Sequence, residues 1–336
     1  MLVLDVYDIR AILDKVGFKD FFLRLIDTLK NDYKNWDHFD KMPRIATHFS
    51  YGVLELMPTS DEEYYGYKYV TGHPQNPNFN KTTVMATGQL STVDTGEPVM
   101  ISEMTLLTAL RTGANSAMAG KYLARKDSKI LCLIGTGAQS EFQSLAFNTQ
   151  FDIKEIRYFD IDPKAMDKFE NNIAPYNFKL TRCASAKEAL KGADIVTTIT
   201  ADKKNQTILT QDMIEQGMFI NAVGGDCPGK TELDKEVLRN ASVFVEYLPQ
   251  TKIEGEIQQM EENFPTTPLC DVIKGEKIGR KDATEVTLFD SVGFAIEDFS
   301  VLKFVYQLAK EYGIGKEMDM IPVMRDPKNL FESFSN

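Results

Sequence analysis

The chain has 336 residues, a length that suggests about two domains at roughly 150 residues each. It is 43% hydrophobic and 26% charged, which excludes disorder, collagen-like repeats and coiled coil. Lys and Arg number 38 against 49 Asp and Glu, a formal charge of -11; so acidic a chain is a poor polyphosphate binder, and no nucleic-acid partner is expected.

Phe18, Phe21, Phe22, Leu25, Ile26 and Leu29 mark one apolar face of a helix over 18–29. From about 43 to 103 the pattern turns to strands. Arg44–Phe49 and Val53–Met57 flank a Ser50-Tyr51-Gly52 turn, and Tyr65, Tyr67 and Tyr69 alternate with a period of two. Val84–Val93 and Pro98–Glu103 flank Asp94-Thr95-Gly96. This part reads as a mostly antiparallel sheet with a helix against it. Residues 102–125 read as a helix rich in small side chains (Ala109, Gly113, Ala114, Ala117, Gly120), which lets another backbone or a ligand come close. Lys126-Asp127-Ser128 makes a polar break.

Strands and helices then alternate. Ile130–Ile134 is a short apolar run, as expected of a strand buried on both faces. A helix is expected over 138–148. Ile156–Phe159, Leu180–Cys183, Ile195–Thr200, Met218–Val223, Val243–Tyr247 and Val286–Phe289 are the further strand candidates. Asp162-Pro163 opens a helix, and Ser185 to Glu188 has capping-box spacing. The alternation predicts a doubly wound parallel sheet.

No apolar run approaches the roughly 20 residues needed to cross a bilayer, and no signal peptide is visible at Met1–Asp5. Cys132, Cys183, Cys227 and Cys270 are widely spaced, which fits a reducing cytoplasm better than a disulfide framework. The three histidines (His38, His48, His73) form no HExxH, so no metal site is expected.

The first strand of the alternating part runs into Gly135-Thr136-Gly137-Ala138-Gln139-Ser140. A GxG triplet alone is weak evidence, and a purely structural strand-to-helix turn is the alternative. Here a strand precedes it, a helix follows, and Asp160 ends the next strand, 23 residues after Gly137. These are the parts of a dinucleotide fingerprint. Glycines let the backbone approach a pyrophosphate, the helix N-terminus stabilises its charge, and the carboxylate accepts from a ribose hydroxyl. Asp160 favours NAD over NADP, because it repels a 2′-phosphate. Ser140 stands where a third glycine is usual.

Four more charged positions are candidates. Lys68 interrupts an aromatic strand and Arg111 sits in the small-residue helix, with Arg44 and Glu55 on neighbouring strands. Lys68 and Arg111 are either ordinary surface or ion-paired cations, or together a clamp for a substrate carboxylate. Asn221–Lys230 follows a strand and contains Gly224-Gly225-Asp226. Ligands of open α/β sheets bind outside the carboxyl ends of strands, so Asp226 is either a turn cap or an acid–base group.

Taken together, the stretches Leu54–Pro58, Tyr67–Val70 with Gly72-His73-Pro74, Ala109–Thr112, Gly137–Gln143, Asn221–Lys230, Phe244–Tyr247, Ile253–Ile257 and Phe289–Phe294 are familiar. The chain resembles the ornithine cyclodeaminase and mu-crystallin family, over about residues 5–332. The resemblance implies an α/β fold: a Rossmann-type NAD domain, here 126–312, and an α+β substrate and dimerisation domain, here 1–125 with 313–336. It implies a homodimer through the first domain. It places the substrate carboxylate region at Arg44, Lys68 and Arg111, the proton donor and acceptor at Asp226, a substrate-lining residue at Val292, and Glu55 near the reacting amines. It places NAD against Thr83, Arg111, Thr112, Gly135, Gly137, Ala138, Gln139, Asp160, Thr200, Asn221, Ala222, Val223, Gly224, Lys230 and Ser291. The implied reaction turns L-ornithine into L-proline and ammonium, with oxidation at Cα, ring closure with loss of ammonia, and re-reduction of the cyclic ketimine. The same family holds amino-acid dehydrogenases, ketimine reductases, lysine-cyclising enzymes, a condensing synthase and non-catalytic lens proteins.

Overall fold

The computed structural model describes residues 1–201 and 206–334. In chain order its elements begin β1 (Leu2–Leu4), α1 (Val6–Val16), α2 (Phe18–Lys34), β2 (Ile45–Phe49), β3 (Gly52–Ser60), β4 (Tyr64–Gly72), β5 (Val84–Thr92), β6 (Pro98–Glu103) and α3 (Thr105–Leu123). They continue β7 (Ile130–Ile134), α4 (Ser140–Gln150), β8 (Glu155–Phe159), α5 (Pro163–Ile173), β9 (Lys179–Arg182), α6 (Ala186–Leu190), β10 (Ile195–Thr198), β11 (Phe219–Ala222), α7 (Lys235–Arg239), β12 (Ser242–Val245) and α8 (Leu248–Glu254). The last are β13 (Thr267–Pro268), α9 (Leu269–Lys274), β14 (Thr287–Asp290), α10 (Ala295–Tyr312) and β15 (Lys316–Glu317).

Two sheets result. One has seven strands in the order β15-β1-β6-β5-β4-β3-β2 and is antiparallel except where β1 runs parallel to β6. The other has eight strands, β13-β12-β14-β11-β10-β7-β8-β9, all parallel. The strands expected from 130 to 290 are all present, with ends shifted by one or two residues. β1, β13 and β15 are additional: two or three residues long, they carry too little pattern to be read.

Capping follows the local chemistry. Asp162 accepts from the Lys164 N–H ahead of Pro163. Ser185 accepts from the Glu188 N–H, while the Glu188 carboxylate reaches Ala184, one residue short of a full capping box.

α3 joins the two halves. It touches β5 of the first sheet and β11 and β14 of the second. Its small residues serve the approach of another helix: a Cβ at Gly113 would lie 2.8 Å from the Phe142 carbonyl oxygen, and one at Gly120 would lie 2.9 Å from the Phe147 ring. α10 packs on β3, β4 and β5 and on α1, α2 and α3. The first turn of α10 therefore faces the middle of α3, and the charged candidates meet there.

Candidate active site

The parallel sheet reverses its winding between β7 and β10, where such sheets bind ligands. At the end of β7, Gly135 has φ of +102°, and a Cβ there would lie 2.8 Å from the Ile199 carbonyl oxygen. Only glycine combines that torsion with so close an approach to the end of β10. Gly137 faces open space, since a Cβ there meets nothing within 4 Å. Ala138 and Gln139 lead into α4. Asp160 stands just past β8; its Oδ2 accepts from Thr136 N at 2.6 Å and Thr136 Oγ1 at 3.1 Å, and its Oδ1 accepts from Asp162 N at 2.9 Å. A carboxylate has about four acceptor sites, so capacity for one more donor remains. A groove of about 610 Å³ opens on the α5 side of the turn, lined by Thr136, Gly137, Ala138 and Lys168 among others. Arg44, Lys68 and Arg111 do not line it.

These residues fit a dinucleotide. Buried Gln139 Oε1 and Asn221 Oδ1 lack hydrogen-bond partners, which a polar ligand at the turn would supply. The Asn221 Nδ2 lies 3.3 Å from both Gln143 Oε1 and Thr197 Oγ1, which ties the end of β11 to α4 and β10. Ala222 ends β11, Val223 donates its N–H to the Thr198 carbonyl, and Gly224 has its Cα against the Glu232 carboxylate, where a Cβ would overlap it. Thr200 donates its hydroxyl to Glu232, and Lys230 Nζ donates to the Thr200 carbonyl at 2.7 Å.

The cations gather at the junction of β2, β4, α3 and α10. Lys68, 2% exposed, lies 2.7 Å from Asp298 Oδ2. Arg111 Nε donates to Asp298 Oδ1 at 2.9 Å and its Nη1 to Glu297 Oε2 at 2.6 Å. One carboxylate thus holds both cations side by side. Burial pushes the Lys68 ammonium down to about 8, with Asp298 opposing the shift and Arg111 adding to it. Burial works against the Arg111 charge as well, but Asp298 and Glu297 outweigh it and hold its pKa above the ordinary value.

Arg44 is clamped beside them. Its Nη1 meets Glu55 at 3.2 and 3.4 Å, and its Nη2 donates to the Val292 and Gly293 carbonyls at 2.7 and 2.8 Å. Its Nε lies 3.0 Å from Glu254 Oε2 as an ion pair without hydrogen-bond alignment. Burial pushes the Glu254 carboxyl up to about 7; Arg44 opposes this, while Glu55 and Asp226 add to it. Asp226 therefore shares the electrostatic neighbourhood of Arg44, Glu254 and Glu55.

Behind the cations lies a buried acid pair. Glu297 Oε1 accepts from Tyr33 Oη at 2.9 Å and from Asn115 Nδ2 at 2.8 Å; Glu246 Oε1 accepts from the same amide at 3.0 Å. Glu246 also accepts from Ser291 Oγ at 2.7 Å and from the Val292 and Gly293 N–H groups, both at 2.9 Å. Burial raises both carboxyls; the Glu297 charge adds to the rise at Glu246 and the Asp298 charge to that at Glu297, which Arg111 opposes. Ser291 and Val292 are thereby held by Glu246.

Of the remaining candidates, Thr112 donates its hydroxyl back to the Thr108 carbonyl within α3. The hydrogen bond of Thr83 is its carbonyl accepting from His73 N at 2.8 Å in the β4–β5 connection. Asp226 is on the loop after β11, its side chain 55% exposed and 3.5 Å from Lys230 Nζ. The structure thus joins Arg44 to Glu55, Lys68 to Arg111 through Asp298, and Asp226 to Lys230.

Sequence reading missed Glu254, Glu297, Asp298, Glu246 and Asn115. Glu297 and Asp298 occupy the first turn of α10, where acids are common for dipole reasons alone. Glu254 and Glu246 lie inside stretches that carried the family resemblance, and that was their only signal.

A Rossmann-type parallel sheet with a glycine turn, together with a cluster of buried cations held by acids, defines an α/β protein of the dinucleotide-binding class. The chain belongs to the ornithine cyclodeaminase/mu-crystallin family, whose sequence pattern matches residues 9–313. An ornithine cyclodeaminase of Agrobacterium fabrum is 51% identical over 315 residues, covering 94% of this chain and 89% of that protein. A lysine cyclodeaminase, solved for recognition of L-lysine, L-ornithine and L-2,4-diaminobutyric acid, superposes with TM-score 0.92 at 29% identity, covering 98% of both chains. An archaeal alanine dehydrogenase dimer with bound NAD superposes with TM-score 0.88 at 32% identity, covering 96% of this chain and 99% of that one. Among the described residues, no helix is long and apolar enough to cross a membrane.

Proposed function

We propose that this chain is an ammonia-lyase that cyclises L-ornithine to L-proline and ammonium, with NAD as a recycled cofactor. The near-complete 51% identity to the Agrobacterium enzyme carries this reading. When bound, NAD supplies reversible oxidation at the substrate Cα.

The cofactor's pyrophosphate is assigned to the Gly135–Gln139 turn at the start of α4 and its ribose to Asp160. The flanking contacts go to Thr83, Thr112, Thr200, Asn221–Gly224, Lys230 and Ser291. Asp160→Ala is expected to weaken NAD binding in a fluorescence titration; unchanged affinity contradicts the assignment.

The substrate carboxylate is assigned to Lys68 and Arg111. Lys68 Nζ keeps donors beyond its contact with Asp298, and Arg111 keeps Nη2. Arg44, locked by Glu55 and by the Val292 and Gly293 carbonyls, forms the adjoining wall. The substrate brings ammonium groups of pKa near 10, which must lose protons before either nitrogen can react. Asp226 receives and returns those protons, and Glu55 and Glu254 neutralise the remaining positive charge. With the carboxylate held, the δ-amine reaches Cα of the oxidised substrate within one molecule. Such closures gain effective molarities of about 10⁵ M or more. Lys68, Arg111, Asp298 and Glu297 are themselves buried, which strengthens the hold of the two cations on a carboxylate.

Lys68 gives this site a pH signature. Its pKa of about 8 means that the cation is present below pH 8 and lost above it. Substrate affinity is expected to fall as pH rises through 8, visible as a rise in KM. Between 8 and 10.5 the unfolded chain holds that proton and the folded chain does not, so this lysine's penalty on stability fades there. A KM flat from pH 7 to 9 contradicts the role of Lys68.

The division into 1–125 with 313–336 and 126–312 remains part of the proposal, supported by the two sheets and by β15 pairing with β1. α2, α3 and α10 all pack across it. A homodimer through the first sheet is likewise proposed. The sheet's outer side carries exposed Ile45, Tyr65, Tyr69 and Met85, an apolar patch that a second copy would cover. Light scattering is expected to give twice the 38.0 kDa chain mass; a monomer at assay concentration contradicts it. A cytoplasmic setting fits the buried free thiols of Cys132, Cys183 and Cys270.

The reading is tested by supplying NAD⁺ far below L-ornithine. Proline in many-fold excess over NAD supports it; product capped at the amount of NAD contradicts it.

A further inference from the structure

Asp226 sits on a loop where its own side chain meets Lys230 Nζ only at 3.5 Å. The loop's backbone, in contrast, converges on one residue. Gln258, half-buried in the short helical turn after α8, accepts from Gly229 N at 2.7 Å through Oε1. Its Nε2 faces four carbonyls: Cys227 at 3.3 Å, Lys230 at 3.0 Å, Glu254 at 3.0 Å and Gly255 at 2.9 Å. The orientation is unambiguous, because the flipped amide would set an oxygen against four oxygens and an N–H against an N–H. One amide therefore ties three residues of the 226–230 loop to the C-terminal end of α8, the end that carries Glu254 and its ion pair with Arg44.

From this we infer that Gln258 is a positioning residue for proton transfer: it sets Asp226 in register with the Arg44–Glu55–Glu254 wall. It rests on the proposed function, in which Asp226 moves the substrate proton. Gly229, at φ of +82°, completes the turn, and the Lys230 N–H returns to the Cys227 carbonyl at 3.2 Å. With Gln258 intact, this loop and α8 form one unit. Asp226 itself meets Lys230 Nζ only at 3.5 Å, a long contact, so its placement depends on the backbone that Gln258 holds. Displacement of a reacting group by about 1 Å can cost 10²-fold in rate. The Gly135–Gln139 turn and the Lys68–Arg111 clamp lie on other elements, and Lys230, the one proposed NAD contact within the held loop, keeps its Nζ on the Thr200 carbonyl at 2.7 Å, so substrate and cofactor affinity should change far less than kcat.

The test begins with wild-type turnover of L-ornithine; if the wild type forms no proline, the functional reading fails before Gln258 is examined. Given an active wild type, Gln258→Leu is expected to lower kcat roughly 10- to 100-fold, with KM and NAD affinity close to wild type. In an Asp226→Asn background the same change should add little, because both substitutions remove one device. Gln258→Glu covers the case in which the leucine variant does not fold. Its carboxylate repels the four carbonyls, whereas its protonated form restores a donor. Its activity relative to wild type should therefore rise as pH falls. Unchanged kcat in Gln258→Leu, equal losses in kcat, KM and NAD affinity, or a flat Gln258→Glu ratio overturns the inference.

Discussion

Asp226→Asn is expected to lower turnover by at least about 10²-fold, the lower end for a general acid–base group, while NAD binding persists. The substitution keeps the size of the side chain and removes its ability to take a proton. Asp226 suits such a task by position: it stands after β11, at the carboxyl end of the sheet, with its charge felt at Arg44, Glu254, Lys230 and Glu232. Its side chain is 55% exposed and meets Lys230 Nζ at 3.5 Å, a long contact that leaves the carboxylate accessible to a substrate proton. Isothermal titration with NAD separates the two effects. Wild-type turnover in this variant contradicts the proton role; lost NAD affinity would make Asp226 a structural residue of the loop.

Arg111→Leu has the second large effect, and it falls on stability as well as on function. Arg111 carries two short bonds to Glu297 and Asp298, all three within the interior. Removing one partner of a buried charge pair typically costs about 3–5 kcal/mol, a large part of the roughly 5–15 kcal/mol that holds a domain folded. Lys68 still faces Asp298, but Glu297 is left buried beside Glu246 without the cation that stabilised its charge. A fall in the midpoint of urea unfolding, together with lost substrate binding, is the expected result. Arg111→Lys keeps the charge but not the planar fork, so it should restore part of the stability and little of the carboxylate binding. A leucine variant as stable as wild type contradicts this account of the clamp.

The parts of this fold legible in the sequence are those whose signal is local. Ile130–Ile134 reads as a buried strand from five apolar residues, the glycine turn follows from Gly135 and Gly137, and Asp160 follows from its spacing. Lys68 and Arg111 stand out because a charge interrupts an apolar pattern. What the sequence hides is pairing across the chain. Arg111 meets Glu297 and Asp298 across 186 and 187 residues, and Asn115 meets Glu246 across 131. No local rule announces such partners, and acids in the first turn of α10 look ordinary. The small residues of α3 left two readings, a close backbone or a close ligand; Gly113 and Gly120 against α4 show the first. The two residues of β15 become a strand only because β1 is there to receive them.

The central claim is that oxidation and reduction occur on one substrate molecule, so that NAD is spent and regained within a turnover. It is tested most directly with L-ornithine carrying deuterium at Cα. The protein is incubated with NAD⁺, and proline, ammonium, NADH and the isotope are measured together. The account predicts equal proline and ammonium, no accumulating NADH, and deuterium retained at Cα of the proline. NADH accumulating with a keto or imino product, and deuterium absent from any proline formed, would contradict it and make the protein an amino-acid dehydrogenase.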